Sequence, residues 1–216
     1  MAGLAGIGID WYIRLEQGRT VSPSAATIDP LAAALRLDTT ELAHLRALTR
    51  ETDRRLFGPE SVSPTIRRLV EGLNLPAYVT GRRWDILAWN TAAAELFPAL
   101  IRRSPDGRNV LIYMLTDADA RRLFGASWSD EAKRMIALFR TTHDLWAGDP
   151  AFQSRLLELR AGHPDFTRWW DAHDVSNAGT GRKTLRHPTN GPTKYEYASF
   201  QANDDPTPRL VPHTPV

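Results

Sequence analysis

The apolar residues of this chain change their spacing across Gly58-Pro59-Glu60-Ser61-Val62-Ser63-Pro64, and that change splits the chain into two folding problems. Ahead of the stretch, the stripes repeat at three or four residues, the period of a helix face. Behind it, after one further helix, come short runs rich in aromatic and β-branched residues, the signature of strands. The stretch itself concentrates Gly, Pro and Ser, so it reads as the boundary.

The front part builds three consecutive helices over residues 6 to about 52. Leu4-Ala5-Gly6-Ile7-Gly8 is a small-residue turn whose last glycine can cap a helix. In the helix that follows, Tyr12 and Leu15 share one face, and Gly18 sits just past the end. Asp29 is placed to cap a second helix with Pro30 at its first position and Leu31, Ala32 and Leu35 as its stripe. Asp38 caps a third, Glu41 completes a capping box, and Leu42, Leu45 and Leu48 line one side. A short turn, an amphipathic helix and a glycine stop make the second half of a helix-turn-helix. Only Met1 to Ala5 precede that turn, so the expectation is an incomplete domain, with Met1 an internal start and the open frame continuing upstream.

The second region opens with a helix capped by Ser63, with Pro64 at its first position and Ile66, Leu69, Val70 and Leu73 on its inner face. Ala77-Tyr78-Val79-Thr80 and Trp84 to Trp89 then read as strands around the turn Gly81-Arg82-Arg83, and Asn90 caps a helix carrying Ala93, Ala94 and Phe97. Residues 109–173 read as helical, with Met135, Leu138 and Phe139 on one stripe and Phe152, Leu156 and Leu159 on another. Strands return at Lys183–Arg186, Lys194–Phe200 and Arg209–His213, behind a flexible turn at Gly179-Thr180-Gly181. Strand, turn, strand and Asn-capped helix is how a PAS-like sensor domain begins. The fold class is therefore α+β.

Several chemistries find no support. The chain has no cysteine, which removes disulfides and thiolate metal sites. No apolar run is long enough to span a bilayer and no signal-peptide pattern opens the chain, so a cytoplasmic location without a membrane partner is expected. His173-Asp174 resembles a metal-ligating pair, but His143, His163 and His187 do not complete a ligand pattern, and a hydrogen-bonding role at a helix end suits His173 better. Gly179-Thr180-Gly181-Arg182-Lys183-Thr184 lacks the glycine spacing of a phosphate loop. No catalytic set, metal or cofactor is expected.

Gly6-Ile7-Gly8, Trp11-Tyr12, Leu15-Glu16-Gln17-Gly18-Arg19, Pro23-Ser24 and Leu31 to Asp38 resemble the later helices of an Xre-type helix-turn-helix. With Pro76-Ala77-Tyr78-Val79, Arg82-Arg83-Trp84-Asp85, Leu87-Ala88-Trp89-Asn90, Arg108-Asn109, Trp169, His173-Asp174-Val175 and His187-Pro188, the chain more narrowly resembles the MmyB-like transcription regulators. The resemblance implies part of a DNA-binding domain over 1–57 and a PAS-like ligand-binding domain over 64–216, a five-stranded antiparallel sheet with helices packed on it. It also implies an apolar ligand, with a fatty acid as the suggested class.

On that resemblance Ile9, Asp10 and Arg14 face base edges, while Gln17 and Arg19 reach phosphates. Residues 1–58 hold seven Lys/Arg against seven Asp/Glu, so the chain alone should bind DNA weakly. A ligand cavity would be walled by Tyr78, Trp84, Trp89, Trp128, Trp169 and Tyr197, with Arg108, His173 and His187 as candidates for a polar headgroup. Taken one by one, Trp84, Trp89, Trp128, Trp146, Trp169 and Trp170 read first as core, with a cavity wall as the alternative, and Arg108 reads equally as bonding loop carbonyls while Asn109 starts a helix. Ligand binding would act on the packing of two domains or of two chains in a homodimer. The competing function is a small-molecule enzyme or carrier on the sensor-like fold, without DNA binding.

Overall fold

The computed structural model describes every residue except 1, 4, 19–22, 50–57, 145, 147–148, 177–178 and 202–207. Two units separate in it, Met1–Arg55 and Leu56–Val216.

The first unit contains α1 (Ile9–Glu16), α2 (Ala25–Leu35) and α3 (Thr39–Thr49). Gly8 is the extended N-cap of α1, and Gly18 follows its end at φ +64°, a left-handed turn that glycine adopts without strain. The third helix starts with a reciprocal box. The Asp38 carboxylate accepts the N–H groups of Thr40 and Glu41 at 2.7 and 2.8 Å, and Glu41 accepts the N–H of Asp38 at 2.8 Å. The second helix departs from expectation: it begins behind Ser24, leaving Pro30 inside it. Ile28 is buried with Leu31 and Ala32, so the core stripe extends one turn further back than Asp29. Packing of that turn outweighs the N–H that Pro30 lacks, and Asp29 pairs instead with Arg46 at 2.8 Å. Leu35 and Leu48 are exposed rather than core.

The second unit starts with α4 (Pro64–Glu71), where the Ser63 hydroxyl accepts the N–H of Ile66. Its strands are β1 (Ala77–Thr80), β2 (Ile86–Trp89), β3 (Thr180–His187), β4 (Gly191–Ala198), β5 (Phe200–Gln201) and β6 (Arg209–Pro215). They form an antiparallel sheet in the order β2-β1-β6-β4-β3, with β5 beside β6. The last strand is thus central: one edge of β6 pairs with β1, and the other is shared between β4 and the two-residue β5. Thr180 and Gly181 belong to β3 rather than to a turn. Gly181 faces Tyr197 across the ladder, and a Cβ there would meet the tyrosine ring.

Alternation along the strands sorts the two faces. Val79, Ala88 and Leu210 turn outward, where Val70 and Ile66 of α4 cover them; Leu69 points to solvent instead. The other face carries Tyr78, Leu185 and Tyr195 into the main core. That core is completed by α5 (Thr91–Leu96), α6 (Pro98–Ile101), α7 (Val110–Thr116), α8 (Ala118–Phe124), α9 (Trp128–Asp144), α10 (Pro150–Gly162) and α11 (Pro164–Asp171).

Two buried asparagines tie helix starts to strands. Asn90 Oδ1 accepts the N–H groups of Ala93 and Ala77, and its Nδ2 donates to the carbonyls of Leu73 and Leu75. Asn109 Oδ1 accepts from Leu111 and Ile112 at the start of α7, while Nδ2 donates to Arg83 O and Asp85 Oδ1. The incoming segment is held differently. Both carboxylate oxygens of Glu60 accept the N–H of Arg82, at 3.0 and 3.1 Å, and lie where a side chain on Gly81 would project. Burial raises the Glu60 pKa, against the lowering effect of the Arg82 N–H and guanidinium. Among the described residues no helix is long and apolar enough to cross a membrane.

Candidate ligand cavity and DNA-facing helix

A cavity of about 200 Å³ lies between the inward sheet face, the start of α7 and the side of α9. Alternation brings Tyr78 and Thr80 of β1, Lys183 of β3, Tyr197 of β4, and Arg209 and Val211 of β6 onto its walls. Helix α9 adds Arg134, Met135, Leu138 and Thr141, and the Thr141 hydroxyl donates to Ser176 O at 3.1 Å. Trp84 supplies another wall from an unusual backbone, φ +66°. A bulky residue in the left-handed region is strained and persists only where its surroundings fix it. Here the Trp84 N–H donates to Gly81 O, its carbonyl accepts from Val110, and its ring meets Phe139 edge-on at 5.9 Å.

The electrostatics of the cavity are one-sided. Lys183 Nζ lies 4.3 Å from the Tyr197 ring centroid and 5.6 Å from that of Phe124. Enclosure lowers its pKa to about 8, with Arg134 adding to the fall and Glu131 opposing it. Arg134 pairs with Glu131 at 2.7 Å through Nη2, while its buried Nη1 has no hydrogen-bond partner among the described residues. Burial also lowers the pKa of Arg209. Among the described residues neither Lys183 nor Arg209 has a carboxylate partner. Burial raises the Tyr78 pKa far above its usual value, keeping the phenol neutral. A smaller space of about 20 Å³ adjoins, sharing Tyr78, Val110, Met135 and Lys183.

Of the ligand residues expected from sequence, the cavity brings together Tyr78, Trp84 and Tyr197. The other six lie elsewhere. Trp128 is core, its indole N–H donating to Met114 O at 2.8 Å and its ring 5.9 Å from that of Trp169. Trp89 carries the guanidinium of Arg108 on its face at 4.5 Å. Arg108 itself donates to the carbonyls of Ile101 and Arg103, so its charge serves the loop before α7. His173 stands at φ +57° beyond α11 with Nδ1 3.4 Å from Arg140, and His187 Nδ1 accepts from Thr189 in the β3–β4 turn. Those polar candidates follow from side-chain type, whereas the cavity selects by strand face. Leu185 is inward, so Lys183 two residues earlier is inward as well. The same rule links Arg209 to Val211 and His213.

His213 is fully buried beneath this wall, within 5.3 to 6.5 Å of the rings of Phe97, Tyr78, Tyr197 and Tyr195. Neither ring nitrogen makes a well-aligned hydrogen bond among the described residues; the backbone of Val211 and Pro76 favours the imidazolium, but burial, reinforced by the charge of Lys183, outweighs it and holds the imidazole neutral. No group of three or more His, Cys, Asp or Glu among the described residues could hold a metal ion.

In the first unit, α1 presents Ile9, Asp10, Ile13, Arg14 and Gln17 to solvent, while Trp11, Tyr12 and Leu15 are half-buried. Glu16 is engaged by the Tyr12 hydroxyl one turn earlier, which raises the phenol pKa. Arg19 lies outside the described residues.

The model of the MmyB-like transcription regulator ligand binding domain matches residues 62–216, which takes in the whole sheet and the cavity. The chain belongs to the MmyB-like transcription regulators. A helix-turn-helix domain model matches residues 1–45 of this regulator, spanning α1 and α2 and part of α3. No curated protein matches the chain. The architecture is that of a ligand-responsive transcription regulator, with a DNA-binding region ahead of a ligand-binding domain.

Proposed function

We propose that this regulator senses an amphipathic acid, with a medium-chain fatty acid as the class. The observation that carries the reading is the cavity: apolar and aromatic walls with Lys183, Arg134 and Arg209 at its polar side. Lys183, enclosed by two rings, and Arg209 have no carboxylate partner among the described residues, which favours an anionic headgroup, because a charge-assisted hydrogen bond offsets their desolvation. A volume of about 200 Å³ is below the roughly 300–1,000 Å³ of pockets for drug-sized ligands, which favours a medium over a long chain. Movement of Met135, an unbranched side chain, would join the adjoining space to it. Tyr78, Trp84 and Tyr197 serve as walls in this reading; Trp89, Trp128, Trp169, Arg108, His173 and His187 serve as scaffold.

The reading assigns residues 1–57 to the later helices of an Xre-type DNA-binding domain and 64–216 to a PAS-like sensor domain, for which the central position of the last strand is the support. It places the protein in the cytoplasm, acting as a regulator and not as an enzyme, with a fatty acid biasing how domains or two chains pack. Ile9, Asp10 and Arg14 read bases, and Gln17 and Arg19 hold phosphates.

The test is native mass spectrometry of the full chain purified from bacteria, with chloroform extraction of any bound lipid, alongside thermal shifts with saturated fatty acids of graded length. Saturable stabilisation by decanoate is expected. No bound apolar molecule and no shift with any acid would overturn the ligand class. For DNA, Arg14→Ala should relax sequence preference and Gln17→Ala weaken all sequences alike; unchanged preference in Arg14→Ala would remove the base-reading role.

A further inference from the structure

We infer that Lys183 is a covalent capture site for apolar aldehydes, which it holds as a Schiff base inside the cavity. The inference rests on the cavity being the ligand site, and extends its ligand class from acids to the aldehydes of the same chain type.

Residue choice is the first support. The chain has 27 Lys and Arg, and only Lys133, Lys183 and Lys194 are lysines. A site needing nothing but fixed positive charge is served by arginine, as Arg134 and Arg209 already do on the same walls. Arginine neither deprotonates nor condenses with a carbonyl, whereas an enclosed lysine does both. Location is the second support. Lys183 borders the main cavity, so a carbonyl carbon at its amine can have its chain directed along the apolar walls there. The third is the absence of a competing bond: Lys183 has no ion pair among the described residues, and its Nζ faces the Tyr197 and Phe124 rings.

The groups facing Lys183 set how much free amine is present. Arg134 of α9 and enclosure by Phe124 of α8 and Tyr197 of β4 favour the neutral amine; Glu131 of α9 favours the ammonium. Tyr78 of β1 stays a neutral phenol, His213 of β6 a neutral imidazole, and Arg209 of β6 a cation with a lowered pKa. With a pKa of about 8, Lys183 offers on the order of a hundredfold more free amine at pH 7 than an ordinary lysine near 10.4. The free amine adds to the aldehyde carbon. The resulting carbinolamine gains a proton on its hydroxyl and loses water, and the nitrogen lone pair forms the C=N bond. No oxidant or reductant is consumed.

Acids and aldehydes then depend on pH in opposite ways. Carboxylate affinity falls as Lys183 loses its proton above about pH 8, while the rate of aldehyde capture rises up to that pH and levels off.

The experiment incubates the full chain with decanal, traps imines with cyanoborohydride, and maps the alkyl groups by peptide mass spectrometry. Decanoate binding is followed separately by tryptophan fluorescence. One decyl group on Lys183 is expected, formed on the order of tenfold or more faster than on Lys133 or Lys194, which are exposed. Excess decanoate should suppress it, and Lys183→Arg should abolish it while keeping the fold by circular dichroism. Lys183→Met serves the same purpose should the arginine variant misfold. Equal labelling of the three lysines, or none at Lys183, overturns the inference, and decanoate binding in the same sample shows that the acid reading survives it. Labelling at Lys183 without decanoate binding upholds aldehyde capture and removes the acid.

Discussion

The two units are stabilised in different ways. In Met1–Arg55 the described order comes from two chain-local devices, a glycine stop after α1 and the Asp38–Glu41 box, together with a small buried set of Ala2, Ala5, Ile28, Leu31 and Ala32. Ile9, Ile13, Leu35 and Leu48 remain exposed. In Leu56–Val216 a large aromatic core surrounds buried polar side chains that each satisfy several backbone groups from distant segments. The contrast teaches that a helix boundary can be written in four consecutive residues, but a cavity needs strands far apart in sequence to be brought into register.

The sharpest way to break this comparison is Asn109→Ala. It deletes a cap and leaves buried backbone groups unpaired, so a loss of about 3–4 kcal/mol in the second unit is expected from urea unfolding. A loss near that of an ordinary surface cap would show that the second unit is as locally determined as the first.

Next in size is Lys183→Met. Removing the charge should weaken decanoate binding by about tenfold or more, since a hydrogen bond to a charged group is worth roughly 1.5–3 kcal/mol. The apo protein should respond in the opposite sense. Between about pH 8 and roughly 10.4 the unfolded chain holds a proton that the folded chain does not, so this lysine makes stability rise with pH over that window. The variant should be stabilised at pH 7 and lose that advantage above the window, which thermal melts across pH would reveal.

His213→Phe comes third and sharpens the contrast from the stabilising side. Replacing an imidazole buried without a well-aligned hydrogen bond should raise stability by about 1–2 kcal/mol. The folded pKa of His213 is depressed, so its contribution is kept above about 6.5 and lost as pH falls below it; the variant should flatten that acid decline. The smallest effect is expected in the first unit. Asp38→Ala should cost about 1 kcal/mol, read as earlier fraying of α3 by hydrogen exchange.

Sequence legibility follows the same division. Gly18, Asp38, Ser63, Asn90 and Asn109 signal helix ends through bonds to neighbours a few residues away, and each stands at the end it marks. Asp29 and Pro30 mislead because Ile28 packs, and tertiary burial outweighs a local preference. In the cavity, Tyr78, Trp84 and Tyr197 could be picked as aromatic residues of strands or turns. Lys183 and Arg209 could not be picked by type, since a charged residue in a strand ordinarily faces solvent. Only the ladder that sets Gly181 against Tyr197, and Arg209 against Thr80, turns them inward.

The seat of the Glu60 carboxylate, occupying the place of a side chain on Gly81, has a consequence for mutation. Residues 60 and 81 share one volume, so the effects of changing them are coupled. Gly81→Ala alone displaces the carboxylate from the Arg82 N–H and carries the cost of that lost bond. After Glu60→Ala the same alanine becomes neutral. Either order gives up the Arg82 N–H bond at its first step, because shortening residue 60 removes the acceptor and filling residue 81 swings it away. The two changes together thus cost about what either costs alone, because both break the same contact.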